Sequence, residues 1–120
     1  MDNISNLVEA VKKHPDYPKA GMILCHNGVV REASRDGRKV SGLKITVDHQ
    51  KLEQIISEHK KRPGIIEILV EINEGRDLSV GDDVMFLVVA GDIRENVIST
   101  LGDTLNAIKT TVTQKTEFFV

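Results

Sequence analysis

The sequence predicts an α+β fold in which pairs of strands alternate with single helices. Three observations carry that expectation. Helix-period segments occur three times, two pairs of β-rich runs separate them, and a short β-rich run closes the chain, giving the order α-β-β-α-β-β-α-β. That interleaving favours an α+β sandwich over a doubly wound parallel sheet. With 120 residues, 40% hydrophobic and 28% charged, residues 1–120 fit one ordinary globular domain able to bury a core without staples. Aromatic residues are only 3%, so aliphatic side chains must fill that core.

From about Asn3 to His14, Ile4, Leu7, Val8 and Val11 share a helical face, with Asn3 or Asp2 as cap. Pro15 and Pro18 end this helix in a loop. Ala20 to Arg31 is β-rich, with a bulge or bend expected at Asn27-Gly28. Glu32 to Lys39 has no apolar period and reads as an exposed loop. Val40 to Val47 alternates as a strand through Leu43, Ile45 and Val47. Asp48 caps a helix running to about Lys61, whose apolar face is Leu52, Ile55 and Ile56, and Pro63-Gly64 stops it. Ile65 to Ile72 is a strand. Turns follow at Asn73-Glu74-Gly75 and Ser79-Val80-Gly81-Asp82. Val84 to Ala90 is the most apolar run, so it should lie in the middle of its sheet. Asp92 opens the last helix, with Glu95 completing a capping box. Thr110-Thr111-Val112-Thr113 weakens helix propensity, which ends that helix near Thr113 and leaves Lys115 to Phe119 as a terminal strand.

Composition excludes several function classes. A formal net charge of −2 does not supply the positive field that bulk nucleic-acid binding needs. No apolar stretch approaches the ~20 residues of a membrane span. The N-terminus shows no signal-peptide pattern, so the cytoplasm is the expected compartment. The lone Cys25 sits in an apolar run and reads as a buried small hydrophobe, with a reactive thiol as the alternative. His14, His26, His49 and His59 are scattered without zinc-site spacing, and Asp82-Asp83 beside Gly81 marks a turn, so no metal is expected. His26, next to the Asn27-Gly28 break, is a functional candidate, although a lone strand histidine is more often packed or solvated. No phosphate-binding glycine loop or nucleophile elbow is present.

The remaining chemistry lies in cations where the backbone turns. Arg31 ends a strand after Gly28-Val29-Val30, and Arg35, Arg38 and Lys39 lie in the loop beyond. Arg94 occupies the first turn of a helix, where the dipole disfavours a cation and suits an anion; the alternative is an exposed arginine paired with Asp92 or Glu95. On one continuous helix Lys109 and Lys115 would point about 240° apart. A break at the threonine run would place Lys115 on the next element and let both amines line one cleft. Two such lysines can grip a carboxylate, thiocarboxylate or phosphate, and one of them can act as base or nucleophile.

Over roughly Ala20 to Glu117 the chain resembles the large, catalytic subunit of molybdopterin synthase. The resemblance rests on Gly28-Val29-Val30-Arg31 with its polar loop, and on Gly75-Arg76-Asp77-Leu78-Ser79-Val80-Gly81-Asp82. It rests also on Val88-Val89-Ala90-Gly91-Asp92-Ile93-Arg94, and on Lys109-Thr110 followed by Lys115-Thr116-Glu117. It implies an α/β-hammerhead fold and a homodimer in which each large subunit binds a ubiquitin-like small sulfur-carrier subunit ending in Gly-Gly. The carrier's thiocarboxylate would deliver sulfur to cyclic pyranopterin monophosphate, forming molybdopterin for the molybdenum cofactor, with no cofactor of the enzyme's own. By that likeness Lys109 and Lys115 are the catalytic lysines, and Arg31 and Arg94 hold the pterin phosphate. Arg35 and Arg38 join them by loop position alone.

The chain departs from the family pattern in several places. Thr111-Val112-Thr113-Gln114 stands where Pro and aromatic residues are usual between the lysines, and the spacing is one residue shorter. Ile93 replaces the histidine before the helix-start arginine, Ile72-Asn73-Glu74 stands near the usual His-Arg pair, and the sequence stops at Val120 without the family's basic tail. Two readings compete with the enzyme: a non-catalytic relative that binds carrier or pterin as a scaffold or regulator, and an unrelated interaction domain with merely solvated lysines. Geometry separates the last of these: Lys109 and Lys115 amines lying far apart and outside any common cleft with Arg94 would end the anion-site reading.

Overall fold

Strand β5, Asp83–Gly91, is the axis of the fold, and its sequence explains why. Met85 through Ala90 are apolar without interruption and all at most 4% exposed, because both faces of this strand are covered. The computed structural model describes residues 1–120. It places β5 between β1 (Met22–Val29) and β3 (Ile65–Ile72) in an antiparallel sheet of order β1-β5-β3. Helix α1 (Ile4–Lys12), capped by the Asn3 side chain, lays Leu7 and Val11 on Phe86, Val88 and Ala90. On the other face α3 (Arg94–Ala107) packs Val97 and Leu101 against Leu87 and Val89, and α2 (His49–Lys60) adds Ile56.

A second antiparallel sheet has the order β4-β2-β6, built from β2 (Val40–Val47), β4 (Asp77–Ser79) and β6 (Thr113–Phe119). Its inward side chains, Leu43, Ile45 and Leu78, form a core with Val30. Gly42 allows β4 to approach β2, since a Cβ there would lie 2.2 Å from the Leu78 carbonyl oxygen. The two sheets lie along a molecule 48 Å long and about half that across. This is the mixed, antiparallel α+β architecture that the pattern predicts.

Several local expectations are corrected. The short strand β4 was not expected, because Asp77-Leu78-Ser79 offers one inward apolar residue and no visible alternation. Asp92 and Glu95 form no capping box: Ile93 occupies the cap position, while the Asp92 carboxylate accepts from the Ile93 N–H and the Asn96 amide. Those two bonds, the Asn96 one first, hold the Asp92 carboxyl below its ordinary range. Cys25 is exposed rather than buried, because its side of β1 faces α1, and α1 packs only against Ile23 there. The helical path does end at Val112, but its last turn, Ile108–Val112, is a π-helix.

Candidate functional site

The π-turn connects the fold to the site. Ile108 and Val112 are buried against Met85, with Leu52, Ile55 and Leu105 around them, so this turn is held from the inside. Its wider winding frees carbonyls from their usual α-helical partners, and the threonines supply hydroxyls in their place. Thr110 Oγ1 donates to the Asn106 carbonyl at 2.9 Å and Thr111 Oγ1 to that of Ala107 at 2.6 Å. The Val112 carbonyl accepts from the Asp48 N–H at 2.9 Å, which ties the end of the turn to the start of α2. The exposed side of this turn carries Lys109, near a helix C-terminus where a cation is favoured.

Lys115 arrives from a different element. In β6 it lies opposite Ile45 of β2, and Glu117 lies opposite Leu43, so both face the side of the sheet that carries those apolar residues. Lys115 Nζ stands 3.8 Å from Glu117 Oε1, a loose ion pair. Lys109 and Lys115 both line a two-lobed cleft at the seam between the sheets. The inner lobe, about 300 Å³, is walled by His26, Gly28, Val84 and Met85 and floored by Leu43 and Ile45. The outer lobe, about 360 Å³, adds Arg31, Ser34 and Glu117, and Arg35 borders both lobes.

The loop that carries Arg35 is more ordered than its polar sequence suggests. Ala33 bridges to Lys39, and the Ser34 N–H donates to the Arg38 carbonyl at 2.9 Å. The Ser34 hydroxyl donates to Asp36, and that bond is the main reason the Asp36 carboxyl lies below its ordinary range. Arg31 stands just past a bulge between Gly28 and Val29, where β1 leaves its register with β5. The turn beneath it is fixed by Gly81, which adopts φ +92° and donates its N–H to the Val30 carbonyl.

The cleft therefore gathers Arg31, Arg35, Lys109 and Lys115 around a single carboxylate, Glu117. Only Lys115 among the four takes part in an ion pair. In a chain of net charge −2 this is a strong local positive field, and it suits an anion.

Two of the expected binding residues lie elsewhere. Arg38 is tied to Asp36 at 3.0 Å and lies over the Phe119 ring, 3.8 Å from its centroid. Arg94 pairs with Glu95 at 3.2 Å. Its position at the opposite end of α3 lies about fifteen residues from Lys109, roughly 22 Å of helical rise. Within one chain, then, the two lysines share a cleft with Arg31 and Arg35, and Arg94 and Arg38 line neither lobe. His26, the histidine singled out beside the Asn27-Gly28 break, lines the inner lobe. The signal for it is alternation, since Met22 and Leu24 on the same face of β1 pack toward α3. Leu43 and Ile45, whose alternation marks them as strand core, also floor the inner lobe, a role no local pattern announces.

A family model described as MoaE protein matches residues 2–111. Among solved structures, molybdopterin synthase from Staphylococcus aureus is 25% identical, with a TM-score of 0.73 over 85% of this chain and 77% of that one. A molybdopterin cofactor biosynthesis protein E from Burkholderia multivorans is 24% identical, with a TM-score of 0.77 over 99% of this chain and 84% of that one. A complex of subunits 1 and 2 of molybdopterin-converting factor from Helicobacter pylori contains a chain 16% identical, with a TM-score of 0.72 over 99% of this chain and 84% of that one. No curated protein matches the sequence.

Proposed function

This chain belongs to the MoaE protein family, and on that premise we propose that its cationic cleft is where sulfur passes from a carrier subunit to a pterin. The family is the catalytic subunit of molybdopterin synthase, a sulfurtransferase, and the chain's role is in molybdopterin biosynthesis. One observation carries the placement of the chemistry: Lys109 and Lys115, brought from the π-turn and from β6, line both lobes of one cleft with Arg31 and Arg35.

Both reactants are anions. The carrier's C-terminal thiocarboxylate and the phosphate of cyclic pyranopterin monophosphate each need a fixed positive partner, and both need orienting toward one another. Lys109 and Lys115 are the proposed catalytic pair, placed to hold the thiocarboxylate and to stabilise charge that develops as sulfur moves. Arg31 and Arg35, at the outer lobe, are suited to the phosphate, because guanidinium groups meet phosphate oxygens in pairs. The Helicobacter pylori neighbour is a complex of two subunits, which supports a small carrier as the partner of this chain.

Arg94 and Arg38 enter this reading differently. In a homodimer, Arg94 would serve a cleft only if it came from the second copy, given its distance along α3. Arg38 would contribute by bracing the loop that holds Arg35. No helix is long and apolar enough to cross a membrane. The test is to incubate the chain with a thiocarboxylated small subunit and cyclic pyranopterin monophosphate, then measure dithiolene product. Turnover is the expected result. Binding of the carrier without product, under conditions where a complete synthase turns over, would instead support a scaffold.

A further inference from the structure

Four histidines occur in the chain, and three have ring nitrogens already engaged. His14 accepts from the Asp16 N–H, His49 pairs with Glu74, and His59 bonds the Ile55 carbonyl. The ring of His26 makes no such bond, and no buried side-chain nitrogen in the structure lacks a partner, so its free nitrogens open into the cleft. The ring lies against Gly28, where a Cβ would stand 3.4 Å from His26 Nε2. That distance is an ordinary van der Waals contact, so the ring packs directly on the glycine.

The inner lobe is otherwise a poor place to move a proton. Its remaining charged side chains are Lys109 from the π-turn, Lys115 from β6 and Arg35 from the loop; β5 and β2 contribute only apolar residues. Charged lysine and arginine carry no acceptor lone pair. His26 is half-buried, and burial, followed by the charge of Lys109, lowers its pKa below the ordinary value. A group so depressed is neutral at pH 7 and gains a proton only as the pH falls through its lowered pKa. It also returns a captured proton to water readily.

Resting on the sulfur-transfer reading above, we infer that His26 is the general base of the cleft, taking the proton of the water that frees the carrier subunit. Transfer of the thiocarboxylate sulfur to a pterin carbon leaves the carrier's carbonyl carbon still bonded to that sulfur. Water attacks this carbon, one of its protons passes to His26, and a new C–O bond forms. The C–S bond then breaks and its electron pair leaves with sulfur as a thiolate. The carrier departs as a carboxylic acid and ionises, and His26 gives its proton to solvent. Water is the only co-reactant, and nothing is oxidised or reduced. Lys109 and Lys115 face both the carbonyl oxygen and the departing sulfur as they become negative.

The test compares wild type with His26→Gln and His26→Phe in single turnovers with thiocarboxylated carrier and cyclic pyranopterin monophosphate, across pH. Both variants are expected to release carrier about 100-fold more slowly, the lower range for loss of a general base. The carrier–sulfur–pterin adduct should accumulate by mass spectrometry, carrier Kd should stay unchanged, and the acid-side fall in rate should disappear. Phenylalanine fills the ring's space, so a fold or packing role would leave it near wild type. Release within twofold of wild type, or slow turnover without adduct, would overturn the inference and leave the sulfur-transfer reading standing. No adduct or product from wild type would overturn both. Independently, the His26 ring should titrate below the usual histidine range by NMR and move upward in Lys109→Met; an unmoved titration would also overturn it.

Discussion

Lys109→Ala separates chemistry from folding more cleanly than any other single change. The side chain is exposed at the end of a helical segment and makes no ion pair, so removing it opens no cavity. Its contribution to stability is the attraction to the negative end of the helix, about 0.3–1 kcal/mol. Alanine's better helix propensity offsets part of that. For 120 residues, an unfolding entropy of about 2.1 cal/mol/K per residue sums to roughly 0.25 kcal/mol/K, so the Tm should fall by at most about 4 °C. Activity should fall far more. Removing one preorganised charge donor from a site of developing negative charge costs about 10²–10³ in rate, equivalent to about 2.7–4 kcal/mol. Dithiolene formation, measured beside a thermal melt of the same sample, reads both quantities. Activity retained within a few fold would refute the assignment of Lys109. A Tm loss well beyond 4 °C would show that the lysine supports the π-turn, and would refute the separation argued here.

Other changes read other parts of the molecule. Ile108→Ala should cost about 2–5 kcal/mol, seen as a lower urea midpoint, because Ile108 is fully buried between Met85 and Val112. Thr111→Val keeps the shape and removes the hydroxyl bond to Ala107; stability should drop by about 1 kcal/mol in urea titration, and turnover more steeply, as the π-turn relaxes and Lys109 moves. Asp92→Ala should lower the Tm at neutral pH but not at strongly acid pH. The Asp92 carboxyl is depressed by Asn96 and the Ile93 N–H, so its stabilisation is present above the unfolded-state pKa and is lost as pH falls through the folded one. Thermal melts of both proteins from pH 7 downward should therefore converge; a constant gap would exclude the charge as its cause.

Legibility in the sequence follows the range of the interactions. Strand β2 spans Val40–Val47 and β3 spans Ile65–Ile72, the expected bounds, because period-2 alternation or a sustained apolar run is written into each segment. The central place of β5 was readable from its unbroken apolar run for the same reason. Asp48 as a cap was equally local, its carboxylate accepting from the Lys51 N–H. Features set by distant partners were not readable. Leu78 makes β4 a strand only because Leu43 lies opposite it. Arg38 is committed to Phe119, eighty-one positions later in the sequence, and no local pattern announces that contact. The threonine run did signal the end of regular α-helix, but β-branching alone does not distinguish a broken helix from a π-turn.

The lysine spacing shows how far counting residues can mislead about a site. The interval from Lys109 to Lys115 is one residue shorter than the family pattern, and the Pro and aromatic residues usual there are absent. That departure would matter if a single helix or a stiff linker set the distance between the amines. It does not. Lys109 is fixed by Ile108 and Val112, which anchor the π-turn in the core. Lys115 is fixed by the register of β6 on β2, opposite Ile45, and that register runs unbroken from Val47 and Thr113 to Gly42 and Phe118. Each lysine is thus positioned by a different sheet or core, and the residues between them only have to join the two. Thr113 does so directly, as the last cap of one element and the first residue of the next. The cleft is therefore robust to sequence change at Thr113-Gln114 so long as the Thr111 hydroxyl keeps its bond to Ala107, Val112 stays buried and β6 keeps its register. Changes that slip that register by one residue would be severe, because they would turn Lys115 to the opposite face of the sheet while leaving the sequence spacing untouched.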